Sequence, residues 1–200
     1  MRIMLNDMSH RFPGQVPLFE HLTFTFEPGV LTGVFGPSGS GKSTLLLLMS
    51  GSLMPTSGQI LGQEGLRVGW IPQQPVGAAR RTLVDQVALP LLAQGWELRR
   101  AVSRAHELLA QFGLAEAAHR QFRHCSGGEA QRFAFARATA ARYDVLLLDE
   151  PTAQLDPTTA TTVRSVVHSL VGEERIVAVA THDEQLRNTC DCLLDLGRPR

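Results

Sequence analysis

Residues 22–26 read LTFTF, apolar and polar in strict alternation, the pattern of a strand with one covered face. The whole opening segment reads as antiparallel strands, punctuated by Glu27-Pro-Gly, a turn signal. Residues 30–35, VLTGVF, form a continuous apolar run that stops at a glycine-rich loop. A helix is predicted over 42–50, with Gly51 as its stop. Residues 55–65 are turn-rich, and 67–71, RVGWI, read as a strand closed by Pro72. From about residue 83 to 118 the period becomes helical, with Leu98, Val102, Ala105, Leu108 and Leu109 recurring. Pro90 lies inside that stretch and is expected to end or kink the helix. The last third alternates: helix 127–141, strand 145–148, helix 158–171, strand 176–180, a short helix, and a strand at 192–196. Continuous apolar strands alternating with helices predict an α/β fold with a parallel sheet covered on both faces. The helical middle interrupts it. One domain over 1–200 is expected, with residues 1–77 and 142–200 as core plus a small antiparallel β subdomain, and 78–141 as a helical subdomain.

Composition narrows the class. The 200 residues, 44% hydrophobic, suffice for one substantial core. Nineteen basic and nineteen acidic side chains cancel, so no net field favours nucleic acid, and no nucleic-acid partner is expected. The arginine doublets at 80–81 and 99–100 read as solvated surface. Three cysteines, Cys125, Cys190 and Cys192, are too few and too unevenly placed for a disulfide framework and fit reduced thiols in the cytoplasm. No signal peptide is read at the start. The longest apolar runs, 45–49 and 145–148, fall far short of the ~20 residues that span a bilayer. A membrane role is therefore expected to be borrowed from a partner.

Chemistry enters at residues 36–44, GPSGSGKST, which fit G-x-x-x-x-G-K-[ST] between a strand and a helix. Gly36, Gly39 and Gly41, with Pro37, Ser38 and Ser40 between them, let backbone N–H groups converge on phosphate oxygens without a Cβ in the way. The helix N-terminus adds partial positive charge. Lys42 supplies a full charge to β- and γ-phosphates, Ser43 a hydroxyl ligand to Mg²⁺, and Thr44 closes the motif. The motif alone means a nucleoside triphosphate; it does not choose among kinase, GTPase and ATPase. Residues 145–150, VLLLDE, then deliver two acids at the tip of a buried strand, the edge where such sheets bind ligands. Asp149 is expected to hold Mg²⁺, and Glu150 to polarise the attacking water. The two acids are expected to point apart because side chains alternate along extended backbone.

Residues 125–129, CSGGE, decide the class. Ser126 with Glu129 three residues later is a capping box, and the glycines expose bare N–H groups at a helix start. The segment resembles the signature of ABC ATPases, usually written LSGGQ, and AQRFAFARA after it fits too. The other elements of that family appear in the expected order. WIPQQP carries the glutamine-loop residue, assigned to Gln73. PTAQLD resembles the D-loop and ends at Asp156, whose Asp-Pro-Thr is also a helix start. THD carries a switch histidine, His182, and Phe12 lies where the family stacks an aromatic on adenine. The resemblance covers essentially the whole chain. It implies a P-loop NTPase (RecA-like) core with an inserted α-helical signature subdomain. It implies ATP and Mg²⁺ as ligands, with Ser43, Gln73 and Asp149 toward the metal and Glu150, His182 and Lys42 as catalytic residues. Cys125, Ser126, Gly127, Gly128 and Glu129 would bind the γ-phosphate of ATP held by an opposite subunit. The implied assembly is a homodimer or heterodimer of ATPase subunits with transmembrane permease subunits, peripheral on the cytoplasmic face of the membrane. VALPLLAQG at 87–95, SGGE and THD resemble the lipoprotein-releasing, macrolide-efflux and cell-division branch. Cys125 departs from the usual leucine and Glu129 from the commoner glutamine. The short stretch before Gln73 is expected to trim the antiparallel subdomain.

Overall fold

The computed structural model describes residues 1–153 and 155–197 and divides them into two compact units. The first comprises Met1–Trp70, Tyr143–Thr152 and the described residues from Val167 on; the second comprises Ile71–Arg142 and Ala153–Val166.

The first unit opens with β1 (Ile3–His10) and β2 (Phe19–Phe26), which pair antiparallel; β3 (Leu31–Phe35) leads to α1 (Lys42–Met49), and β4 (Ser57–Leu61) follows. β4 pairs antiparallel with the other side of β1, giving a three-stranded sheet of order β2-β1-β4. The turn-rich reading of residues 55–65 therefore needs correction: a strand lies there. Its residues are almost all exposed, so no hydrophobic alternation advertised it. β5 (Val68–Ile71), β6 (Val145–Asp149), β7 (Ile176–Ala180) and β8 (Cys192–Asp195) build the second sheet, in the order β5-β6-β7-β3-β8. β3 runs parallel to β7 and β8, and β6 parallel to β7. All five residues of β3, β6 and β7 are buried, as uninterrupted apolar strands require. The core joins both sheets to α1: Ile3, Leu5 and Phe26 pack in one cluster with Leu45, Leu48, Leu147 and Ala178.

The second unit is helical. α2 (Leu83–Ala93), α3 (Leu98–Gln111) and α4 (Gly127–Ala140) pack on one another, and α5 (Pro157–Ser169) begins in this unit and ends in the first. Gly95, at φ 84°, splits the predicted helical stretch into α2 and α3. Pro90 does not end α2, which runs three residues further. Leu98 shares the helical spacing yet is exposed; Ala101, Ala105, Leu108 and Leu109 form the buried stripe of α3. A short turn of 3-10 helix at Phe122–His124 precedes α4, and α6 (Glu184–Arg187) lies in the first unit. No described helix is long and apolar enough to cross a membrane.

Candidate functional site

Three neighbouring strands, β6, β7 and β3, place the chemistry. Their register sets Asp149 level with Ala180, and Ala180 level with Val34, so all three end along one edge of the sheet. The tips carry the parts of the site: residues 36–44 after β3, Asp149 at the end of β6 with Glu150 just after it, and Thr181 and His182 after β7. Parallel sheets bind ligands outside this edge.

The loop after β3 needs its glycines. Gly36, Gly39 and Gly41 all have positive φ. Gly41 caps α1 at φ 90°, and a Cβ there would come within 2.9 Å of the Phe19 ring; one on Gly36 would overlap the Ser40 side chain. The Lys42 ammonium folds back along this loop and donates to the Gly36 and Pro37 carbonyls at 2.9 and 3.2 Å. Pro37, Ser38 and Gly39 are exposed, as is Ser43 at the start of α1, with Thr44 half-buried beside it.

Asp149 is buried, and Ser43 hydrogen-bonds to it. Its Oδ1 has no protein partner. Burial pushes its carboxyl above the usual carboxylate range, with the Glu150 charge adding to burial and Ser43 and Lys42 opposing it. A buried carboxylate oxygen without a donor, next to a serine hydroxyl, fits a hard divalent cation with oxygen ligands.

Glu150 corrects one expectation. It diverges from Asp149, but not through strand alternation: its φ is 47°, a left-handed conformation rare for a side chain. Its N–H donates to the Ala180 carbonyl at 2.8 Å, which holds the turn. Its carboxylate lies between the Lys42 ammonium and the His182 imidazole. One oxygen is 3.8 Å from Lys42 Nζ; the other is 2.9 Å from His182 Nδ1 and accepts from the His182 N–H at 3.3 Å. Strain of this kind collects at functional sites. The His182 side chain is 72% exposed, so its other ring nitrogen is open to a ligand. Sequence reasoning missed what steadies that histidine. Thr152 Oγ1 donates to Asp183 Oδ2 at 2.9 Å, and Asp183 caps α6 through the Gln185 and Leu186 N–H groups. The cap was legible as an aspartate before a short helix; the Thr152 contact, across 31 residues, was not.

Lys42, Ser43, Asp149, Glu150 and His182 thus converge in the first unit, while Phe12, partly exposed in the turn after β1, lies at the end of the antiparallel sheet. Gln73, residues 125–129 and Asp156 belong to the second unit. Gln73 is exposed just after β5. Ser126 caps α4 in a complete capping box: its side chain accepts from the Glu129 N–H, and the Glu129 carboxylate accepts from the Ser126 N–H at 2.8 Å. Glu129 also meets Arg120 at 2.8 Å, and the Ser126 N–H, with Arg120, lowers its carboxyl below the usual range. Gly127 has open space where a Cβ would stand. Cys125 is half-buried, and burial raises its thiol. Asp156 accepts from the Thr158 and Thr159 N–H groups, the cap its sequence announced.

A strand, a glycine loop, a helix N-terminus with a lysine, and an acid at the tip of a nearby parallel strand define a P-loop nucleoside triphosphatase. The family model described as ABC transporter matches residues 19–153. Over 200 residues the chain is 35% identical to the lipoprotein-releasing system ATP-binding protein LolD 2 of Caulobacter vibrioides, covering 92% of this chain and 87% of that protein. It is 34% identical to the methionine import ATP-binding protein MetN of Mesorhizobium japonicum, spanning 98% of this chain but 58% of that longer protein. A solved dimeric ATP-binding cassette in a post-hydrolysis state, bound to ADP and Pi, superposes with a TM-score of 0.85 at 25% identity, covering 98% of this chain and 94% of that one. The chain belongs to the ABC transporter family, as an ATP-binding and ATP-hydrolysing subunit.

Proposed function

We propose that two ATPase chains sandwich two ATP molecules between them and so drive separate membrane permease subunits. The observation that carries this is the Lys42–Glu150–His182 cluster beside the buried, unpartnered Asp149 oxygen. In this reading the loop N–H groups of residues 36–44 and Lys42 hold the β- and γ-phosphates. Ser43 and Asp149 would hold Mg²⁺, which when bound would neutralise charge on the phosphate oxygens, and the family resemblance assigns Gln73 to the same ion. Glu150 accepts a proton from the attacking water, and His182, oriented by the same carboxylate, contacts the γ-phosphate. Phe12 stacks on adenine.

The N-terminus of α4, at Ser126–Gly128, presents N–H groups to the γ-phosphate of ATP bound on the opposite chain, and Asp156 lies at the same interface. The solved dimeric relative and the named transport systems of the relatives support this assembly. Residues 78–141 act as the helical subdomain that carries the signature. Likeness to a lipoprotein-releasing ATPase favours that branch of the family.

Glu150→Gln tests the chemistry. Removing a positioned base lowers turnover about 100-fold or more. ATP binding should persist, and an ATP-dependent dimer should accumulate in size-exclusion chromatography. Unchanged hydrolysis would remove Glu150 from the role.

A further inference from the structure

His10 closes β1, is only 5% exposed, and has no hydrogen-bond partner for either ring nitrogen. Aromatic contacts surround it. Its ring meets Phe12 edge-on, with centroids 5.0 Å apart and planes at 89°, and meets Phe19 at 6.4 Å and 35°. Phe19 in turn lies against the phosphate loop, since a Cβ on Gly41 would be 2.9 Å from its ring. One imidazole therefore props both the aromatic assigned to adenine and the ring beneath the glycine that precedes Lys42. On another side His10 lines a cavity of about 270 Å³ shared with Arg11, Glu20, His21, Thr56 and Ser57.

We propose that His10 is a positioning residue for base recognition: its buried ring, packed edge-on against Phe12, holds Phe12 in the pose that stacks on adenine. The proposal rests on the reading of Phe12 as the base-stacking residue. His21 is already committed, its Nδ1 2.8 Å from Asp7 Oδ1, so it serves as a control.

The test compares the affinity of the full chain for ATP and for tripolyphosphate, which has the phosphates without the base. His10→Ala should lower the ATP-to-tripolyphosphate affinity ratio about fivefold, because Phe12 loses the ring that holds it. His10→Phe should keep the ratio of the unaltered protein, because a phenyl ring still props Phe12, and His21→Asn should leave it unchanged. A His10→Ala variant with an unchanged ratio, or a His10→Phe variant that loses as much as His10→Ala, overturns the proposal. If Phe12→Ala leaves the ratio intact, the base-stacking reading itself falls. If Phe12→Ala lowers the ratio while the His10 variants behave as the unaltered protein, only the role of His10 is refuted.

Discussion

Glu150 takes a left-handed backbone turn that glycine would adopt freely, yet it is a glutamate, and its carboxylate reaches both Lys42 and His182. The contorted backbone is what lets one acid serve two partners from the tip of a strand. Its neighbour Asp149 bears a different cost. A buried carboxylate with one unpartnered oxygen and a raised pKa destabilises the chain whenever it is ionised, so the penalty applies above its folded pKa and lifts as pH falls through it. Asp149→Asn should therefore raise the melting temperature of the nucleotide-free protein at pH 7 by a few degrees. The same substitution should abolish the further stabilisation that Mg²⁺ adds to ATP and lower turnover about 100-fold or more. Calorimetry with and without Mg²⁺ checks both; a variant that is less stable without nucleotide contradicts the argument.

At the scale of elements, the strand tips aim the site and capping positions its helices. α1 starts at a glycine because the phosphate loop leaves no room for a side-chain cap, whereas α4 starts with a complete capping box that still leaves Gly127 open. The pairing of strand ends is reinforced from the side. Asp144, just before β6, accepts from the side chain and the backbone N–H of Arg67, just before β5, at 2.7 to 2.9 Å. These contacts lower the Asp144 carboxyl to about 2. A depressed acid contributes stability above its unfolded pKa, near 3.8, and loses it as pH falls toward 2. The Arg67 side chain is 61% exposed, so solvent screens much of the gain. Asp144→Asn should lower the melting temperature by about 2 °C at pH 7. The gap between variant and unaltered protein should close between pH 4 and pH 2 in thermal scans; a gap that stays constant over that range would dissociate Asp144 from the effect.

At the scale of the whole molecule, residues 36–44 with Lys42 belong to the first unit and the N-terminus of α4 at Ser126 to the second. A sandwich of two chains makes a sharp prediction. Chains carrying Lys42→Ala and chains carrying Ser126→Arg should each be nearly inactive alone. Mixed in equal amounts they should regain roughly a quarter of normal turnover. Half the random pairs are mixed, and each mixed pair holds one site with an intact loop and an intact signature from different chains. An ATPase assay on the mixture decides it; no recovery would mean that each chain completes its own site.

Local pattern carried much of this protein. The period-two run at 22–26, the buried runs that became β3, β6 and β7, the phosphate loop and the helix starts at Ser126 and Asp156 were legible because each depends on residues a few positions apart. Features made by distant residues were not. The exposed edge strand β4 has no hydrophobic signature; its place comes from pairing with β1, about fifty residues away. The break at Gly95 and the passage of α2 through Pro90 were decided by packing within the helical unit rather than by propensity. The left-handed turn at Glu150 is held by a carbonyl on β7, and the unpartnered imidazole of His10 by rings from two segments, so both exist only once the sheets have formed. The sequence determined which chemical groups were available and which strands would be buried; tertiary structure decided their directions, because direction depends on what the neighbouring strand leaves room to do.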